Sequence, residues 1–91
     1  MEKNEKEKII DLIKKEKVEL KVKRSGMIQR ILFEIKKVDE PYGSYPVLHT
    51  DRAIDLSELA RLADEINLPV RAPNGIVFPR GKTGKDFVGL I

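Results

Sequence analysis

The most suggestive chemistry in this chain lies in a glycine-rich, basic segment near its C-terminus, residues 75–85. It approaches the phosphate-binding loop G-x-x-x-x-G-K-[ST], which must stand between a strand and a helix. Five residues separate Gly75 from Gly81, one too many, and only eight follow Thr83, too few for the required helix. Pro79 also removes an N–H that could cradle an anion. We therefore predict no nucleotide hydrolysis, and what remains is a basic loop carrying Arg80, Lys82 and Lys85.

The single histidine, His49, precedes Asp51 by two positions. A His-x-Asp pair can bind a metal or perform acid–base chemistry. The sequence offers no obvious third ligand, no cysteine, and no nucleophile beside a base. We interpret His49 as a surface histidine near a helix start, and we expect a protein that is not an enzyme and needs no metal or cofactor.

Basic side chains around the first turn form a second group of candidates. Lys21 and Lys23 alternate with apolar residues, so they should share one face of a strand with Glu19. An open sheet face with lysines near a flexible basic loop can follow a phosphate backbone. The strands lack the interleaved aromatics of sheet-based RNA binders. The predicted nucleic-acid contacts are Arg71, Arg80, Lys82, Lys85, Lys21, Lys23 and Arg24.

Two tyrosines, Tyr42 and Tyr45, lie in a segment rich in turn-forming residues, 39–46, which we predict to be a loop. Exposed tyrosines on a loop can stack on bases or anchor a protein partner. Alternatively, both rings fold back and cover an edge of the core while their hydroxyls remain in water. The sequence supports Tyr42 and Tyr45 as candidate partner-binding residues and leaves this alternative open.

Composition limits the class of protein. The 91 residues are 41% hydrophobic, enough for the core of one small domain, 1–91. Charged residues make up 36%, against about 25% in ordinary domains. This Lys- and Glu-rich pattern without cysteine favours a thermophilic source and a cytoplasmic location. The N-terminus does not resemble a secretory signal, and no apolar run approaches the ~20 residues of a membrane span, so we expect no membrane partner.

Hydrophobic periodicity changes several times along the chain. Helices are predicted over residues 4–17 and 55–66, and strands over residues 18–24, 27–38, 47–50, 70–72, 76–78 and 86–91. The second helix has the clearer signals, because Asp55 and Glu58 form a capping pattern before its apolar stripe. Its predicted core residues are Leu59, Leu62, Ala63 and Ile66.

This order predicts an α+β fold made of two successive α-β-β units. The sheet should have four or five mainly antiparallel strands with both helices on one face. The leading functional hypothesis is a small non-catalytic binding module that contacts RNA or DNA phosphates through the basic C-terminal loop. The alternative is a protein–protein interaction module or accessory subunit, for example a homodimer, that uses the sheet edge or the tyrosine loop.

Overall fold

The computed structural model describes residues 4–90. Its elements are α1 (Glu5–Lys14), β1 (Lys17–Arg24), β2 (Met27–Glu40), β3 (Gly43–His49), α2 (Leu56–Ile66), β4 (Val70–Ala72), β5 (Gly75–Val77) and the 3-10 helix η1 (Gly84–Phe87). The strands form one five-stranded sheet in chain order. Among these described residues, only β3 and β4 pair in parallel, and α2 connects them. The predicted α+β fold with a mainly antiparallel sheet is confirmed.

One face of the sheet packs against α2. Val18, Leu20 and Val22 of β1 point to this face, as their alternation predicts, and Val18 pairs with Phe33 of β2. The helix contributes Leu59, Leu62 and Ala63, which are buried as predicted, whereas Ile66 is only half-buried. The buried residues of this first core cluster are Val22, Ile31, Phe33, Leu48, Ile54, Leu59, Leu62, Ala63, Val70 and Ala72.

Helix α1 is capped by Asn4, whose side-chain oxygen accepts the N–H of Glu7 over 2.8 Å. It ends before Glu16, which takes a left-handed φ of 64°, so β1 starts one residue earlier than predicted. Leu12 packs against the first cluster, and Ile9 is buried in a second one. Because Ile9 and Ile66 line one crevice, α1 lies beside the C-terminal end of α2.

The predicted loop over residues 39–46 is wrong. β2 runs on to Glu40, a short turn follows, and β3 begins at Gly43. Leu48 N–H donates to the Pro69 carbonyl, so the even-numbered positions of β3 face β4. Pro46 lies on that side but before the parallel pairing with β4 begins at Leu48. Its missing N–H therefore costs no ladder bond, and the strand tolerates the proline.

The predicted last strand over residues 86–91 is also wrong as far as the described residues extend. The chain forms η1 instead, capped by Thr83, whose N–H donates to the Asp86 carboxylate over 2.7 Å. Phe87 is buried in the second core cluster together with Ile9, Tyr45, Val47 and Leu68. Tyr45 and Val47 point away from the face of Leu48, so η1 covers the other side of β3 at this end.

The outer edge of β1 is partly occupied by side chains of α2. Lys23 N–H donates to the Glu58 carboxylate over 3.3 Å, and Arg61 donates to the Lys21 carbonyl over 3.3 Å. Arg61 also forms ion pairs with Glu58 and Glu65. These contacts satisfy two groups that would otherwise be free to pair with another strand. We call Glu58 and Arg61 the edge clamp.

Candidate nucleic-acid interface

The sheet face opposite α2 is uncovered over β1 and over β2 as far as Lys36, and we call it the open face. Side-chain alternation and the β1–β2 register place Lys21 beside Arg30 and Lys17 beside Glu34. The open face carries Lys17, Glu19, Lys21, Lys23, Ile28, Arg30, Leu32, Glu34, Lys36, His49 and Arg71. Basic side chains outnumber acidic ones on it.

Ion pairing on the open face is uneven. Glu19 lies 3.7 Å from Arg30, and Glu34 lies 3.5 Å from Lys36, so both carboxylates of the strands already have a basic partner. Within residues 4–90, none of the lysines at 17, 21 and 23 forms an ion pair. The three lysines of edge strand β1 therefore form no ion pair, although Glu19 lies between Lys17 and Lys21 and the Glu58 carboxylate attracts Lys23.

A depression of about 410 Å³ lies at the centre of the open face, and we call it the central depression. Its lining residues are Glu19, Arg30, Ile31, Leu32, Glu34, Lys36, His49, Thr50, Asp51 and Arg52. Three carboxylates and three cationic side chains surround it, so with His49 neutral its formal charge is zero. The buried Thr50 hydroxyl accepts the N–H of Arg52 over 3.3 Å, which fixes the chain after β3 at the rim.

His49 is held on both sides. Arg71 Nε donates to His49 Nδ1 over 3.1 Å, and His49 Nε2 lies 3.0 Å from Asp51 Oδ1. Nδ1 must therefore be unprotonated and Nε2 carries the hydrogen. The parallel β3–β4 register makes this possible, because His49 and Arg71 are direct partners. No group of His, Asp or Glu side chains among the described residues could hold a metal ion.

Hydrogen bonds from its backbone N–H groups hold the basic C-terminal loop in place. Arg80 N–H donates to Asp64 of α2 over 2.7 Å, and Lys82 N–H donates to the Pro79 carbonyl over 3.0 Å. Thr83 N–H is bound to Asp86. Three amide groups that could cradle an anion are thus already engaged. The side chains of Arg80, Lys82 and Lys85 are the charged groups of the loop that could contact phosphate, and Lys82 lines a crevice with α1.

The two tyrosines have different environments. Their rings stack with centroids 6.5 Å apart, and Lys85 Nζ lies 5.5 Å from the Tyr42 ring. Tyr45 is only 3% exposed. Its burial raises the pKa of its hydroxyl, and the neighbouring Tyr42 raises it further. Tyr45 covers the core edge and is closed to a partner, whereas Tyr42 is 44% exposed and remains a candidate contact.

The structure brings only part of the predicted nucleic-acid set together. Lys21, Lys23 and Arg71 share the open face. Arg24 is half-buried at the end of β1, beside a crevice lined by Asp55 and Asn74. Arg80 lies near the C-terminal half of α2, and Lys85 lies over Tyr42. The predicted residues therefore occupy separate regions instead of one continuous patch.

Several basic residues of the open face were missed in the sequence. The predicted first helix includes Lys17, and the predicted contacts omit Arg30 and Lys36 of the open face and Arg52 of the central depression. Arg30 and Lys36 alternate with the core residues of β2, and this pattern could have identified them. Lys17 could have been found only from the early helix end at Glu16.

Comparison with known proteins gives no independent identification. No protein-family model matches this chain, and neither curated proteins nor solved structures show a significant similarity. Among the described residues, neither α-helix is long and apolar enough to span a bilayer. The functional argument therefore depends on the geometry and charge of the open face.

Proposed function

We propose that this protein is a small, non-catalytic binding module that contacts nucleic-acid phosphates along its open face. Lys17, Lys21 and Lys23 provide the main contacts, and Arg71 contributes from β4. The C-terminal loop adds side-chain contacts through Lys82 and Lys85 without forming a backbone cradle. Phosphate contacts of this kind give affinity and orientation but little sequence preference.

The observation that supports this function best is that the three lysines of β1 form no ion pair within residues 4–90. Lys21 and Lys23 are separated by two strand positions, about 6.6 Å along the strand, so their charges form a line. Each lysine that neutralises a phosphate releases a bound counterion, which favours binding at low salt. Lysines on an edge strand also discourage pairing with strands of other chains, and this role needs no nucleic acid. A direct binding measurement distinguishes the two roles.

The test is a salt series of binding isotherms with single- and double-stranded RNA and DNA. The double variant Lys21→Ala/Lys23→Ala should bind all sequences more weakly than wild type. The slope of log K against log salt should fall by about one unit per lysine removed. A matched control is Lys6→Ala/Lys8→Ala, which removes the same charge from exposed positions of α1.

The control pair should lower the slope much less than the sheet pair. Equal slopes for wild type and the Lys21/Lys23 variant would exclude the open face as the phosphate site. Absence of any binding at low salt would exclude nucleic acid as the ligand.

A protein–protein interaction function is the second candidate, favoured by apolar exposure at the start of β2. Met27 is 65% exposed and Ile28 is 74% exposed, beside the β1–β2 turn. Successive strand residues point to opposite faces, so this end of the hairpin exposes apolar surface on both sides, and such surface can mark an interaction site. Light scattering over a concentration series would detect a homodimer, and Ile28→Lys should abolish it if this end of the hairpin forms the interface.

A further inference from the structure

We infer that the central depression is a subsite for one unpaired nucleobase that carries an amino group, with cytosine preferred over uracil. This inference rests on the proposed function, because the neighbouring lysines are needed to hold the backbone. It goes further by assigning base recognition to a region that the phosphate contacts do not use.

Charge balance excludes a phosphate as the best occupant of the depression. Its carboxylates come from Glu19, Glu34 and Asp51, and they match three cationic side chains in number. A phosphate brought among them would meet as much repulsion as attraction. A neutral ligand with both donors and acceptors fits such a lining, and a nucleobase has these properties.

Size and apolar contact are consistent with a base. The volume of about 410 Å³ lies within the usual range of small-molecule sites, roughly 300–1,000 Å³. Leu32 is 51% exposed and supplies an apolar surface among the polar groups. A flipped or single-stranded base can lie on such a side chain while its edge forms hydrogen bonds.

The carboxylates determine the preference among bases. Glu and Asp side chains accept hydrogen bonds from the N4 amino group of cytosine. Uracil has a carbonyl oxygen at that position, which cannot donate and is repelled by a carboxylate. Glu34 is the best-placed acceptor, because it lies on β2 directly opposite His49 and is half-buried, whereas Glu19 and Asp51 are exposed.

The test compares short oligocytidine and oligouridine RNAs of equal length, at neutral pH and the same salt. Fluorescence anisotropy with labelled strands should show about tenfold tighter binding of oligocytidine, the lower part of the range for one base contact. In Glu34→Gln this ratio should fall towards one, while oligouridine affinity is retained or rises because a negative charge is lost. Glu40→Gln is the control, since it removes the same charge from an exposed position of the same strand outside the depression.

The outcomes separate the two proposals. Equal affinities of wild type for both RNAs would overturn the base subsite and leave the phosphate interface standing. An unchanged cytosine preference in Glu34→Gln, with circular dichroism showing a folded protein, would also overturn the assignment to this depression. No binding of either RNA at low salt would overturn the proposed function and the subsite with it.

Discussion

Arg71 and His49 are joined across the parallel β3–β4 pair by a hydrogen bond of 3.1 Å from Arg71 Nε to His49 Nδ1. The same imidazole lies 3.0 Å from the Asp51 carboxylate through Nε2. The bond connects the parallel junction between β3 and β4 to the rim of the central depression. Together with the Asp51 contact, it therefore fixes the orientation of the imidazole ring at the end of β3.

The first prediction concerns the tautomer of His49. When the ring is neutral, the hydrogen should lie on Nε2, because Nδ1 accepts from Arg71. Long-range proton–nitrogen correlation spectra of the labelled protein report the tautomer directly. Arg71→Met should weaken the preference for this tautomer, since the donor to Nδ1 is lost while Asp51 still accepts from Nε2. A predominant Nδ1–H form in wild type would contradict the arrangement.

Core packing gives the second prediction. Leu62→Ala should destabilise the protein by about 2–5 kcal/mol, because it deletes buried methyl groups between α2 and the sheet. Leu56→Ala on the same helix is the matched control, since Leu56 is 53% exposed. It should change stability by roughly 0.5 kcal/mol or less. Chemical denaturation of both variants provides the comparison, and equal losses would refute the assigned core face of α2.

The third prediction concerns acid stability. The hydrogen bond from Arg61 lowers the pKa of Glu58 below its ordinary value, against the effect of burial. A carboxyl whose pKa is lowered on folding stabilises the protein above its unfolded pKa, and this contribution is lost as pH falls through its folded pKa. Wild type should therefore lose stability on acidification more steeply than Glu58→Gln. Denaturation at a series of pH values gives the stability of wild type, Glu58→Gln and the control Glu40→Gln. If stability falls in parallel for wild type and Glu58→Gln, the Glu58–Arg61 pair does not contribute to acid stability.

The edge clamp leads to a fourth prediction. Arg61→Ala removes the donor to the Lys21 carbonyl and leaves Glu58 without its partner. The exposed β1 edge should then pair with another chain, so self-association rises with concentration. Analytical ultracentrifugation measures this effect. Arg52→Ala, which removes a charge at the rim of the depression instead, should remain like wild type.

The C-terminal loop provides a fifth prediction. Lys82→Ala/Lys85→Ala should reduce the salt slope of RNA binding less than Lys21→Ala/Lys23→Ala does. Lys82 lies in a crevice beside Glu5 and Asp86, and Lys85 is engaged by the Tyr42 ring, so neither is as available as the β1 lysines. If Lys82→Ala/Lys85→Ala lowered the salt slope more than Lys21→Ala/Lys23→Ala, the C-terminal loop would be the principal phosphate-binding site.

The sequence predicted elements whose local signals agree with their packing. Alternation in β1 predicted which side Lys21 and Lys23 occupy, and the apolar stripe predicted α2. The predicted capping box is not formed, because the Asp55 side chain makes no capping hydrogen bond. Prediction from the sequence failed where pairing between strands overrides the conformational preference of single residues. Gly43 and Pro46 are turn formers, yet both lie in β3, because pairing with β2 decides their conformation.

The candidate site was harder to predict than the fold, because it depends on strand register. Arg71 lies beside His49 only because α2 returns the chain parallel to β3, and no short-range pattern shows this. The central depression likewise combines residues from β1, β2 and the chain after β3. Thr83 and Asp86, by contrast, have the spacing of a capping box, which could have predicted η1 instead of a strand.

The shared core around α2 also has a kinetic consequence. Val22 of β1 and Ala72 of β4 belong to one cluster, although most of the chain separates them. The β1–β2 and β2–β3 hairpins close short loops and can form early, whereas joining Val22 to Ala72 must wait until α2 has docked. Docking of α2 should therefore limit the folding rate, so that removing contacts from Leu59 slows folding. Changes at the β1–β2 turn should instead act mainly on the fast early steps.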